Sequence, residues 1–185
     1  DMQQRFPMPF REQVLARTQA IGLDVAYVYG LIRQESRFII DARSGVGASG
    51  LMQVMPATAR WTARKIGLDY SHELITDRDV NLTLGTGYLK LVLDDFAGSQ
   101  PLAAAAYNAG PSRSRRWREG PLLDPAAWAE NIPFSETRDY VKKVLSNAAY
   151  YAALLGNESV SLSVRLGESI GPRDPAIASA DRDLP

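Results

Sequence analysis

An apolar helical stripe that ends in a carboxylate and runs into a glycine-rich loop constrains this chain more than any other feature. Asp24 is a good helix N-cap, and Val25, Val28 and Ile32 follow at steps of three and four residues. The next position on that stripe is Glu35. A carboxylate where the pattern asks for an apolar side chain either meets a partner, such as Arg33, Arg37 or a distant cation, or serves chemistry. With the helix ending near Phe38, Glu35 falls in its last turn, where the negative end of the dipole and partial burial both oppose ionisation. A carboxyl group that keeps its proton near neutral pH can protonate a leaving oxygen.

After Ser36-Arg37-Phe38 comes the run Ser44-Gly45-Val46-Gly47-Ala48-Ser49-Gly50, then Leu51-Met52-Gln53-Val54-Met55-Pro56. Gly45, Gly47 and Gly50 match the dinucleotide fingerprint letter for letter, with Asp69 about twenty residues on. The nucleotide reading fails on context. That motif needs a strand before it and a helix starting inside it, whereas here a helix precedes it and the next helix signal, Pro56, lies beyond it. No lysine follows to make a P-loop. Glycines in this place suit a backbone that passes close beside a substrate.

Composition narrows the chemistry. The 185 residues carry equal numbers of acidic and basic side chains, which favours neither nucleic acid nor an anionic membrane as the main partner. There is no cysteine, so disulfides, thiol nucleophiles and thiolate metal sites are excluded. The single histidine, His72, lies in the polar stretch Asp69-Tyr70-Ser71-His72-Glu73 and reads as a surface loop residue. No G-x-S-x-G elbow accompanies it, and a histidine-rich metal site is impossible. Hydrolytic or lyase chemistry therefore falls to carboxylates and tyrosines, and no metal or cofactor is expected. No apolar stretch reaches the length of a membrane span.

The periodicity predicts an all-α body. Residues 1–10, with Pro7 and Pro9, read as an extended lead-in, followed by helices over 10–21 and 24–38. Further helices are expected from Pro56 to Gly67, and from Asp77 or Asp79 to just before Gly98 with Val80, Leu84, Tyr88 (or Gly87) and Leu91 facing inward. An alanine-rich segment over 102–107, opened by Pro101, is expected at the centre of the domain. Residues 112–118, with Arg113, Arg115, Arg116 and Arg118 around Trp117, read as a solvated face, with contact to an anionic polymer as the alternative. Ser135 is placed as the cap of a long last helix on Val141, Val144, Leu145, Ala148 and Tyr151, ending at Gly156. Residues 159–166 alone hint at strand alternation. The expected division is a domain over residues 1–156 and an irregular tail over 157–185, either flexible or strapped across it.

Four motifs, in order, resemble the catalytic domain of the soluble lytic transglycosylases. They are Gln34-Glu35-Ser36-Arg37-Phe38, Gly47-Ala48-Ser49-Gly50-Leu51-Met52-Gln53-Val54-Met55-Pro56, Ala106-Tyr107-Asn108-Ala109-Gly110 and Ile132-Pro133-Phe134-Ser135-Glu136-Thr137-Arg138-Asp139-Tyr140-Val141. The likeness spans about residues 25–156. It implies a mostly helical, lysozyme-like fold and non-hydrolytic cleavage of the β-1,4 bond between N-acetylmuramic acid and N-acetylglucosamine in bacterial peptidoglycan, leaving a 1,6-anhydro sugar. It implies a periplasmic setting, with glycan strands as partner, and often a longer chain with a helical superstructure ahead of this domain. A start at Asp1 is consistent with excision from such a chain.

The resemblance also distributes roles. Glu35 acts as acid and then base, with Tyr107 hydrogen-bonded near it or near the developing charge. Ser44 and Gln53 bind sugar polar groups, Met52 and Met55 line the cleft, and Asn108 fixes the loop after Tyr107. Glu136 is a cleft residue, although capping alone would explain an acid at a helix start. Arg138 and Tyr140 are further candidates, with structural pairing as the default reading of both. Two other readings stay open: a hydrolytic lysozyme of the goose type, which needs a water route and a second carboxylate, and a muropeptide-binding domain that keeps the fold without the chemistry.

Overall fold

The computed structural model describes residues 1–156, 162–177 and 183–185. Its helices are α1 (Met2–Arg5), α2 (Arg11–Ile21), α3 (Val25–Ser36), α4 (Pro56–Ile66), α5 (Arg78–Asp95), α6 (Gln100–Ala109), α7 (Pro111–Trp117), α8 (Pro125–Glu130), α9 (Ser135–Leu154) and α10 (Leu162–Leu166), with a 3-10 turn at His72–Leu74. Among the described residues the only β-type pairing is in isolated bridges: Arg43 with Ser49, Ser49 with Val54, and Leu123 with Ile170.

The expected stripe of α3 is its buried side, where Val28 and Ile32 are 0% and 1% exposed. Burial goes further than the stripe alone required, because α3 runs through the middle of the domain and every residue from 26 to 32 is buried. Against it lies α9, whose Val141, Val144, Leu145, Ala148 and Tyr151 all face the core. The two helices meet at Gly30, where a Cβ would stand 2.8 Å from the Ala148 nitrogen and the Val144 carbonyl oxygen. Only a glycine lets the two backbones approach so closely. The alanine-rich α6 is central as expected, with Ala103 to Ala106 fully buried.

Four local expectations are corrected. The lead-in is not extended throughout: Asp1 accepts from the Gln3 amide and caps the single helical turn α1 before Pro7 stops it. Phe10 is not helical but stands at the N-cap of α2 in the left-handed region. Ser135 does not cap α9. Phe134 holds the N-cap without a side-chain bond, and the first turn closes through the Arg138 amide on the Phe134 carbonyl at 2.9 Å. The suggested strand over 159–166 lies partly outside the described residues, and its described part is the helix α10.

Asp24 ties distant parts together. One carboxylate oxygen caps α3 through the Ala26 and Tyr27 amides, and the other accepts from Gln100 Nε2 of α6 and from Arg165 of α10. Farther along, Leu123 and Ile170 exchange backbone hydrogen bonds of 2.9 and 2.7 Å, and Arg118 donates to the Gly171 carbonyl at 2.9 Å. Among the described residues no helix is long and apolar enough to cross a membrane.

Candidate active site

Glu35 is the penultimate residue of α3, so it sits at the negative end of the helix dipole. The helix stops abruptly behind it: Arg37 and Phe38 both adopt left-handed backbone, at φ 50° and 68°. Two consecutive non-glycine residues there carry strain, which the surroundings must hold in place. Ser36 helps by turning its hydroxyl to both sides, donating to the Ile32 carbonyl and accepting from the Phe38 amide at 3.1 Å.

Burial is the main influence on the Glu35 carboxyl and pushes its pKa from the ordinary 4.5 to about 7. The Tyr140 hydroxyl, directed at the carboxyl, opposes that rise, and the negative charge of Glu136 adds to it. The Tyr140 contact stops short of full hydrogen-bond geometry, so the buried hydroxyl has no partner of ordinary length and angle. Tyr107 stands in the same field, and burial together with the Glu35 charge drives its phenol pKa far upward, as it does for Tyr140. Both tyrosines are therefore neutral donors over any ordinary pH.

The glycine loop after α3 is folded on itself. Ser44 donates its amide to the Ala48 carbonyl and accepts the Ala48 amide on its hydroxyl at 3.0 Å. The Gly50 amide reaches back to the Ala42 carbonyl at 2.8 Å, and Ser49 and Val54 exchange bonds of 3.1 and 3.0 Å. The end of this loop is clamped by Asn81 of α5, which is fully buried. Its Nδ2 donates to the carbonyls of Ser49 and Ile75 at 2.9 and 2.7 Å, and its Oδ1 accepts the Met52 amide at 2.8 Å. Gly50, at φ +83°, lies so close that a Cβ would stand 2.2 Å from the Asn81 amide nitrogen. The clamp fixes Met52, whose carbonyl accepts the Tyr107 hydroxyl at 2.6 Å. Beside Tyr107 opens a pocket of about 160 Å³, lined among others by Gln53, Met55, Thr58, Tyr88, Asn108 and Pro185.

A glutamic acid half-buried at a helix end, two neutral tyrosines around it and a glycine loop whose Met52 carbonyl anchors one of them form one constellation. The sequence matches the family model described as Transglycosylase SLT domain over residues 12–121. The chain belongs to this transglycosylase family. A second match, to the soluble lytic transglycosylase helical domain, covers residues 131–159. The soluble lytic murein transglycosylase of Escherichia coli K12 is 38% identical over 166 residues, which is 88% of this chain and 26% of that protein. The one from Salmonella typhimurium shows the same identity and coverage. Among solved structures, an inactive mutant of the lytic transglycosylase Slt from Pseudomonas aeruginosa superposes with a TM-score of 0.87 at 42% identity, covering 92% of this chain and 28% of that one. The 70-kDa soluble lytic transglycosylase of E. coli gives 0.83 at 36% identity, covering 91% and 28%. The chain therefore spans about a quarter of the length of these relatives.

The transglycosylase domain brings most of the expected residues together. Glu35, Tyr107, Tyr140 and Glu136 share one electrostatic neighbourhood, while Gln53, Met55, Tyr107 and Asn108 line one pocket. Gln53 is held by its side-chain amide, which donates to the Ala42 and Gly50 carbonyls. Asn108 accepts from the Thr137 hydroxyl at 2.8 Å, joining the turn after Tyr107 to the start of α9. Two placements, those of Met52 and Ser44, differ from expectation, while Arg138 makes the structural pairing that was its default reading. The Met52 side chain is fully buried against Gly85 and contributes its carbonyl rather than a cleft wall. Ser44 uses its hydroxyl within its own loop. Arg138 donates to the Ile132 carbonyl at 3.0 Å and braces the segment before α9. Asn81 and Thr137 were missed altogether. The signal for Asn81 was present, as a carboxamide among the apolar residues of α5, the same kind of exception that singled out Glu35.

Proposed function

We propose that this chain cleaves the β-1,4 bond between N-acetylmuramic acid and N-acetylglucosamine in peptidoglycan without water, in the bacterial periplasm. The observation that carries the reading is Glu35, a carboxyl group whose pKa is raised to about 7 by burial and which stands among neutral tyrosines. It holds a proton at neutral pH and gives it up readily. Asp41, the other carboxylate close in sequence, is exposed on the loop surface.

The protonated Glu35 donates to the glycosidic oxygen as the bond from that oxygen to the anomeric carbon breaks. The 2-acetamido oxygen of the muramyl sugar supports the developing positive charge. Glu35, now ionised, takes the proton from the C6 hydroxyl, and that oxygen closes onto the anomeric carbon. Atoms balance with no water consumed, the leaving strand carries a free hydroxyl, and Glu35 ends protonated as it began. One carboxyl group suffices because the substrate supplies its own nucleophile, in contrast to the two carboxylates of a hydrolytic glycosidase. The test is digestion of purified peptidoglycan by the wild type and by Glu35→Gln, with products identified by mass spectrometry. Anhydromuramyl ends from the wild type alone are expected. Reducing ends, heavier by one water, would mean a hydrolase. Binding without release by either protein would refute an enzymatic role.

A further inference from the structure

The basic segment over residues 112–118 divides into two pairs of arginines. Arg115 and Arg118 are committed within the fold: Arg115 binds the buried Asp95 carboxylate at 2.8 Å, and Arg118 binds the Gly171 carbonyl. Arg113 and Arg116 are exposed, and among the described residues neither forms an ion pair. Of these two, Arg113 is held in place. It donates to the Ala109 carbonyl at 3.2 Å, and its guanidinium lies 4.8 Å from the centre of the Phe134 ring. Phe134 is 44% exposed and is braced in turn by Trp117, edge to face at 5.1 Å. Both supports belong to segments that carry site residues. Ala109 follows Tyr107 and Asn108, and Phe134 stands two positions before Glu136, whose charge acts on the Glu35 carboxyl. The bond from Thr137 to Asn108 joins the same two segments.

An arginine spread on a ring keeps its charge and offers its remaining N–H donors as a planar fork, the shape that fits a carboxylate. The substrate has such a group. N-acetylmuramic acid differs from N-acetylglucosamine by a lactyl ether ending in a carboxyl group, which is free on a bare strand and otherwise carries the peptide. The peptide has carboxylates of its own. Glu136 already places a negative charge near the acid, so an anionic arm arriving here meets repulsion unless a cation offsets it.

We propose that Arg113 binds a carboxylate on the lactyl arm of a muramyl unit and so selects charged strands over uncharged polymers of N-acetylglucosamine. This rests on the transglycosylase reading of the site. Because the two sugars alternate, a group that recognises the arm also sets the register in which the strand lies. Arg113 acts through binding: in the cleaving enzyme its loss should appear in KM, with kcat keeping its pH dependence.

The test measures affinity in a Glu35→Gln background, where strands stay whole. The ligands are hexasaccharides of three kinds: peptide-bearing glycan, the same glycan with its peptides removed, and N-acetylglucosamine hexamer. Melting curves establish that each variant is folded. Arg113→Gln is expected to weaken one or both charged ligands at least fivefold and the uncharged hexamer less than twofold. Arg113→Lys should restore part of that loss, because the charge stays and only the fork is gone. Arg116→Gln removes the same charge three residues on and should change all three affinities less than twofold. Loss confined to the peptide-bearing ligand assigns the bound carboxylate to the peptide, and loss confined to bare glycan assigns it to the lactyl group. Equal weakening of charged and uncharged ligands would mean that Arg113 only braces the turn at Ala109. That result, unchanged affinities, an equal effect of Arg116→Gln, or no measurable binding of either charged ligand would overturn the proposal. Wild-type digestion is read separately: absence of anhydro ends refutes the cleavage and leaves the binding comparison standing.

Discussion

Replacing Glu35 with glutamine removes the acid, and it also has a consequence for stability whose sign and pH window follow from the site. The carboxyl titrates near 4.5 in an unfolded chain and near 7 in the folded one. Between those values the native state binds more protons than the unfolded state, so wild-type stability falls as pH rises through 7. A rise of about two and a half pH units corresponds to ~3.4 kcal/mol at about 1.36 kcal/mol per unit, as a ceiling. Glu35 is partly open to solvent, and screening reduces this to about 2 kcal/mol. Glutamine has no such loss. Relative to wild type, Glu35→Gln should gain ~4–8 °C in Tm at pH 8.5 over its relative position at pH 4, since ~1 kcal/mol moves a domain of this size by about 2–4 °C. Paired thermal melts across that range measure it, and all other titrations cancel in the difference. A gap between the two proteins that stays constant to within a degree would refute the claim that burial of this carboxyl raises its pKa.

If Glu35 is the acid of the proposed cleavage, activity should fall as pH rises above about 7, where its acid form is lost; a flat kcat/KM profile from pH 6 to 9 would argue against that role. Glu136→Gln removes a charge that raises the Glu35 pKa, so the alkaline limb of kcat/KM should move to lower pH; Tyr140→Phe removes an opposing influence and should move it up. Asn81→Ala breaks three buried hydrogen bonds and leaves the Met52 amide and two carbonyls without partners, for an expected loss of about 3 kcal/mol in urea denaturation. Gly30→Ala puts a methyl group against the α9 backbone, which cannot yield as a side chain would. A loss of about 1–3 kcal/mol is expected, and unchanged stability would show that the two helices can separate.

Periodicity located α3 and α9 because each presents an apolar face to one core, although α3 is buried well beyond the stripe that revealed it. It described α5 less well. That helix is buried on nearly all sides, so no single stripe of three- and four-residue steps could represent it. Glu35 was legible as a polar residue breaking an apolar pattern. Its neighbours were legible only through the motif resemblance, because Tyr107 and Tyr140 reach it from segments 72 and 105 positions later in the chain. Met52 shows the opposite failure. A motif position identified the residue, but whether its side chain or its carbonyl faces the cleft depends on Gly85 and Asn81, which lie about thirty residues away on another helix. The contacts of residues 183–185 were legible only as one of two readings of the tail, because they are made residue by residue with α4 and α5 and leave no period.

Asp24 gives the molecule an order of completion. Half of its carboxylate is committed to the amides that start α3 and is available as soon as that helix is made, whereas the other half awaits Gln100 and Arg165. On a chain emerging in sequence from the ribosome, the helix bearing the acid can form early, but the charge at its head is neutralised only when residue 165 has been synthesised. A stretch far downstream in sequence thus completes the cap of the helix that carries Glu35. A ribosome that stops short of it leaves the glutamate in place on a helix whose far end is still unpaired.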